Sequence, residues 1–224
     1  MEIPKIKALL FMKHTSERVP RKNMRDFCGR PLFHWIVDAL QKSKYISEII
    51  INTDSEEIAK SAKENFDVTI HMRPEYLLTI TSNEANLIMQ HDLSITEGEY
   101  FLQTHSTNPL LTTTSIDKSI EIFFDQKKHD TLFSVTALQT RLFTVDGKPL
   151  NHDPSKLVKT QDLPPVYEEN SCIYIFSRDS FNKTGNRIGE NPMLLPIDRV
   201  ESVDIDEMDD FIFAEYLMKK RLIK

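Results

Sequence analysis

The alternation of two hydrophobic periods constrains this chain more than any other feature. "IKALLFM" (6–12) and "ISEIIINT" (46–53) are short apolar runs bounded by polar residues, the pattern of strands buried on both faces of a parallel sheet. Between them, "PLFHWIVDALQKSKY" sets Leu32, Trp35, Ile36, Ala39 and Leu40 on one helical stripe. "SEEIAKSAKENF" reads as a second helix that Ser55 caps, followed by "VTIHM" as strand, "NEANLIMQHDLSI" as helix, "YFLQTH" as strand and "TSIDKSIEIFFDQK" as helix. This repetition, sustained to about residue 135, predicts an α/β fold with a mainly parallel, doubly wound sheet. Such sheets bind ligands where loops leave the carboxyl ends of the strands.

After "TLFSVTAL" the alternation breaks. Residues 138–170 contain Asp146-Gly147, a hairpin signal, and the breakers Pro154, Pro164 and Pro165, so they read as an excursion from the sheet. The excursion carries Phe143, Leu150, Leu157, Val158 and Leu163, more apolar residues than a free loop should expose, which points to pairing with a second subunit. "SCIYIFS" returns to the core as a strand and "DDFIFAEYLMKKRL" closes the chain as a helix. With no internal repeat and no low-complexity linker, residues 1–224 read as a single domain.

Composition excludes several function classes. A formal net charge of −6 does not suit a protein that wraps a nucleic acid polymer, although one basic loop can still hold a small anion. No run approaches the roughly 20 apolar residues of a membrane span. "MEIPKIKALLF" lacks the apolar length and cleavage site of a secretory signal, so a cytoplasmic protein is expected. The two cysteines, Cys28 and Cys172, match no metal spacing and form no disulfide framework.

Two stretches carry chemistry. "KHTSERVPRKN" (13–23) directly follows the first strand and offers Lys13, Ser16, Arg18, Arg21 and Lys22, together with loop N–H groups, to an anion such as a triphosphate. It is neither a Walker loop nor a dinucleotide fingerprint, and a merely solvated basic loop fits the composition equally well. "VESVDIDEMDDF" places Asp204 and Asp206 two apart, on one side of an extended segment, where both carboxylates can meet one hard cation, Mg²⁺ being the natural one beside phosphates. The competing reading is a set of acids at a helix N-terminus, which suits Asp209 and Asp210 better. A phosphate-gripping loop plus a cation-holding carboxylate pair is the minimum equipment for nucleotidyl transfer.

These residues resemble the acylneuraminate cytidylyltransferases. "SERVPRKNMRDFCGRPLFHWIVDAL" is similar to the family's signature loop and first helix, "INTDSEEIA" to its next strand and helix, and "RPEYL" to its nucleotide-contacting arginine segment. "YFLQTHSTNPLL", "TQDLPPVYEENSCIYIF" and "DIDEMDDFIFAE" follow in the family's order, so the resemblance covers nearly the whole chain. It implies a Rossmann-like, dimeric, Mg²⁺-dependent enzyme in which the anomeric 2-hydroxyl of a nonulosonic acid attacks the α-phosphorus of CTP. By position it implies Lys22 and Asn23 at the triphosphate, with Lys13 where the family usually has arginine. Arg73 and Ser82 fall at the cytidine portion, and Gln103 at the sugar acid. Asp204 and Asp206 fall at the metal, with Lys22 and Asp206 as the catalytic pair.

The departures fall mainly on the acceptor side. The family's paired arginines before QDLPP are Lys159 and Thr160 here, next to Gln161, and its asparagine-glycine pair is Asn170-Ser171, preceded by Glu168 and Glu169. Arginine to lysine loses bidentate carboxylate recognition, and an acid beside the pocket opposes an anionic acceptor, so another nonulosonic acid or an amino-bearing acceptor comes into question. The longer "QTHSTNPLL" brings in His105, which either assists the attacking hydroxyl as a base or only hydrogen-bonds a substrate or a loop. In the phosphate loop Thr15 replaces a glycine and Glu17 stands where lysine is common. A CTP-dependent transferase with a different acceptor and a non-catalytic nucleotide-binding relative are the alternatives; the missing acid after Gln103 disfavours the deoxyoctulosonate branch.

Overall fold

The computed structural model describes residues 3–79, 85–126 and 128–223. Its strands are β1 (Ile6–Met12), β2 (Asp26–Phe27), β3 (Arg30–Pro31), β4 (Ile46–Thr53), β5 (Thr69–Met72), β6 (Tyr100–Thr104), β7 (Thr131–Leu138), β8 (Val166–Ser177) and β9 (Pro192–Pro196). Its helices are α1 (Leu32–Gln41), α2 (Glu56–Asn65), α3 (Asn86–Ser94), α4 (Thr113–Asp125), α5 (Arg178–Thr184) and α6 (Met208–Leu222). Seven strands form one sheet in the order β5-β4-β1-β6-β8-β7-β9, and β2 with β3 makes a separate small ribbon. Within the sheet β8 alone runs antiparallel, to both β6 and β7.

Packing follows the two periods. Alternate residues of β1, namely Ile6, Ala8, Leu10 and Met12, join the α1 residues Phe33, Ile36 and Val37 and the α4 residues Ile116 and Ile120 on one face. Leu9 points the other way, into a cluster with Met89 and Leu93 of α3 and Phe181 of α5. Both faces of the sheet are therefore covered, the arrangement that lets central strands read as continuous apolar runs. Ser55 caps α2 by accepting from the Ile58 N–H, as its sequence position predicts.

The strand order places a topological switch at β1: the chain runs outward through β4 and β5, then returns to add β6 on the opposite edge of β1. The crevice above the carboxyl ends of β1 and β6 is where such a sheet takes its ligand.

The structure corrects several expectations. The excursion is shorter than 138–170, because Val166–Asn170 already belong to β8, with residues 166–169 paired to β7. Leu163 is 5 % exposed and belongs to the chain's own interior, whereas Phe143, Val145, Leu150 and Leu157 are exposed. The expected hairpin forms around Gly147, with Phe143 bridging Pro149. Helix α5 and strand β9 fall in a stretch that periodicity left unassigned; β9 begins and ends in proline, which an edge strand tolerates.

Candidate active site

The basic loop is anchored by its apolar residue. Val19 is fully buried with Phe27, Leu32, Leu110, Phe211 and Ile205, and Ile205 is the residue between the two aspartates. One hydrophobic cluster thus fixes the basic loop and the acidic segment side by side, although they lie at opposite ends of the sequence. Polar contacts complete the join. Lys22 Nζ donates to the Ile205 carbonyl at 2.5 Å and lies 3.9 Å from Asp206 Oδ1. Arg18 donates to Asp206 Oδ1 at 2.6 Å and to Glu207 at 3.4 Å. Asn23 takes a hydrogen bond from the Ser106 hydroxyl at 2.7 Å and gives one to the Lys13 carbonyl at 3.0 Å, tying the loop across the ends of β1 and β6. Lys13 is exposed and Ser16 half-buried beside it. Thr15, where the family has glycine, has no left-handed backbone, so this replacement introduces no strain.

The two aspartates differ in environment. Asp206 is exposed, while Asp204 is half-buried, and its buried Oδ1 has no hydrogen-bond partner among the described residues. Burial, reinforced by the neighbouring Asp206 charge, raises the Asp204 pKa above the ordinary carboxylate value. Burial also lowers the Lys22 pKa, against the opposing pull of Asp206 and Asp204. A buried, unpartnered carboxylate oxygen next to a second, exposed carboxylate is a donor set that suits a hard divalent cation completed by phosphate oxygens. The acids at the start of α6 have a separate duty: Glu207 and Asp210 form a reciprocal capping box.

Arg73 is 7 % exposed, and its guanidinium donates to the Met12 carbonyl at 3.2 Å and to Asn52 Oδ1 at 2.8 Å. It ties together the carboxyl ends of β1 and β4, in a network that continues from Asn52 to Asp92 and on to His71. Ser82 lies outside the described residues.

Around the ends of β6 and β8 the structure assembles a cluster that the sequence does not announce. Gln103 and Tyr174 are paired across β6 and β8, both fully buried, and point to the face that α5 covers. Arg187, from the loop after α5, donates to Gln103 Oε1 at 2.5 Å, reaches His105 Nε2 at 3.2 Å and lies 3.5 Å from Glu169. Its guanidinium stacks 3.5 Å from the centre of the Tyr174 ring, whose hydroxyl donates to Glu169. Burial and the Arg187 charge push the His105 pKa down to about 3. Its Nε2 faces Arg187, which can only donate, so Nε2 carries the lone pair and is already engaged. His105 therefore stands as a neutral acceptor in this cluster, which favours the hydrogen-bonding reading over the general base.

Two further residues differ from their expected places. Asn170 is spent inside the β7–β8 bulge, where it accepts from Ser134 Oγ at 2.6 Å and donates to Thr136 Oγ1 at 3.2 Å. Ser171, in place of the family's glycine, adopts φ 58° at the same bulge. Lys159 and Gln161 are exposed on the excursion, and among the described residues no hydrogen bond or ion pair joins either side chain to the Gln103 cluster. Sequence reasoning missed Arg187 because its only local mark is a loop between Gly185 and Gly189.

A family model described as "Cytidylyltransferase" matches residues 8–219. The chain is 27 % identical over 217 residues to the "Post-translational flagellin modification protein B" of Campylobacter coli, with 92 % of each chain covered. It is 26 % identical over 227 residues to the N-acylneuraminate cytidylyltransferase of Escherichia coli O18:K1:H7, covering 97 % of this chain and 53 % of that protein, so it spans about half of that relative's length. The fold is similar to a solved structure of CMP:2-keto-3-deoxy-manno-octonic acid synthetase complexed with CTP, at TM-score 0.67 and 10 % identity, with 97 % of this chain and 99 % of that one covered.

Proposed function

The chain belongs to the cytidylyltransferase family, and on that premise we propose that it transfers CMP from CTP to the anomeric hydroxyl of a nonulosonic sugar acid, releasing pyrophosphate. The observation that carries this reading is the join of Lys22 and Arg18 to the Asp204-Ile205-Asp206 segment at the switch point between β1 and β6. The acceptor oxygen forms a bond to the α-phosphorus, the bond to the β-phosphate bridge breaks, and the hydroxyl proton passes to solvent. Lys22, with Arg18, Lys13, Ser16 and Asn23, holds the triphosphate oxygens and offsets charge as the leaving pyrophosphate separates. Arg73 serves the nucleotide site by fixing the β1 and β4 ends. Asp204 and Asp206 are the residues that would hold Mg²⁺, which supplies further neutralisation of the phosphates.

No described helix is long and apolar enough to cross a membrane. Both cysteines are free, which favours a reducing compartment, and we place the protein in the cytoplasm. The exposed Phe143, Val145, Leu150 and Leu157 support a homodimer formed through the excursion. Pyrophosphate release from CTP and Mg²⁺ with a panel of nonulosonic acids, deoxyoctulosonic acid and acid-free acceptors, with ATP, GTP and UTP as controls, tests the reading. CTP-specific release with a nonulosonic acid supports it; release only with a different acceptor class sinks it.

A further inference from the structure

The acceptor side of the pocket poses a charge problem. Lys159 and Gln161 stand exposed on the excursion, and the β8 residue that meets the Gln103–Tyr174 cluster from before the bulge is Glu169, an acid set beside a substrate that is itself an acid. Arg187 is the cation that the fold brings there instead. It arrives on a loop tied to the sheet by three backbone N–H groups: Gly189 donates to Thr131 Oγ1 at 3.0 Å, and Glu190 and Asn191 donate to the Asp130 carboxylate at 2.8 and 3.1 Å. A Cβ at Gly189 would run into that same carboxylate, so the loop lies pressed against it.

The partners of Arg187 leave its charge poorly balanced. Gln103 Oε1, His105 Nε2 and the Tyr174 ring are neutral, and its one carboxylate neighbour among the described residues, Glu169, lies 3.5 Å away while also accepting from the Tyr174 hydroxyl. Tyr174 stacking fixes the plane of the guanidinium, and its side chain keeps 23 % exposure. A planar, oriented, partly exposed cation beside a carboxylate that it meets only at 3.5 Å is an arrangement that can exchange one carboxylate for another.

We propose that Arg187 receives the carboxylate of the acceptor, and that Glu169 holds its place until the acceptor binds; this rests on the reading of the acceptor as a nonulosonic acid. Arg187 then sets acceptor specificity without touching the triphosphate.

The test compares initial rates of pyrophosphate release for the wild type, Arg187→Met, Arg187→Lys and Glu169→Gln, using the accepted sugar acid and its C1 carboxamide, with thermal melting as a fold control. Arg187→Met is expected to raise the acceptor KM about 10- to 100-fold, to leave the CTP KM within about twofold, and to erase the preference for acid over carboxamide. Arg187→Lys is expected to fall between, and Glu169→Gln to lower the acceptor KM. An unchanged acid preference in a folded Arg187→Met protein overturns the inference, as does an equal rise in both KM values, the mark of a purely structural strut. A wild type that works only on acceptors lacking a carboxylate removes the functional reading and this inference together, an outcome distinct from failure of the variants alone.

Discussion

Lys22 Nζ donates to the main-chain carbonyl of Ile205 at 2.5 Å, joining positions 183 residues apart. The contact holds the ammonium between a basic loop and an acidic segment, and burial lowers its pKa, so the group is positioned before any ligand arrives. Lys22→Met is expected to cut kcat for pyrophosphate release by about 100-fold or more while melting near the wild type. A folded Lys22→Met protein with wild-type kcat would remove Lys22 from the mechanism.

The two aspartates should respond differently in a stability assay. Asp206 is exposed, so Asp206→Ala is expected to abolish transfer and to change stability by no more than roughly 0.5 kcal/mol. Asp204 has a raised folded-state pKa, so its ionisation opposes folding: the penalty is absent below the ordinary carboxylate pKa and sets in as the pH rises. Asp204→Asn is therefore expected to be inactive yet more stable than the wild type at pH 7, by about 1 kcal/mol, with the gain vanishing below about pH 4. Urea midpoints at the two pH values decide it.

His105 supplies a second pH signature. Its folded pKa of about 3 lies below the unfolded value of 6.5, so above that value both states are neutral and the residue contributes nothing. Below it the unfolded chain gains a proton that the folded chain refuses, and stability falls with pH by up to about 1.4 kcal/mol per unit. Denaturation curves of wild type and His105→Gln should run parallel above pH 7 and diverge below 6, the wild type falling faster. Parallel curves down to pH 4 would show that His105 protonates freely in the folded protein.

Ser171 sits in the left-handed region at φ 58°, where the family's glycine is at ease. Ser171→Gly is expected to stabilise the protein by up to about 1 kcal/mol, because the strain removed outweighs the flexibility added to the unfolded chain. Loss of stability on thermal melting would mean that the Ser171 hydroxyl, 3.4 Å from Tyr174 Oη, matters more than the backbone.

The legible parts of this protein were those whose signal is local. β1, α1, β4 and α2 each carry their own period, and Ser55 announces its cap. The basic loop after β1 and the Asp204–Asp206 pair stand out in the sequence because charge is concentrated there at short spacing, and the structure brings the two together. The first half of β8 was hidden because Pro164-Pro165 and Glu168-Glu169 read as turn and surface, whereas pairing with β7 decides their conformation. Arg187 was hidden for the same reason at longer range: its meaning comes from Gln103, 84 residues away.

The Arg18–Asp206 contact means that the resting site carries its own counter-ions. Arg18 cannot give the same N–H groups to Asp206 and to a phosphate, and Asp206 cannot give the same oxygen to Arg18 and to a cation. On the proposed function, a phosphate drawing Arg18 away would release a carboxylate for Mg²⁺, and a metal engaging Asp206 would release a guanidinium for the phosphate. Each ligand would then strengthen the other's binding by the same factor, the reciprocity that linkage requires.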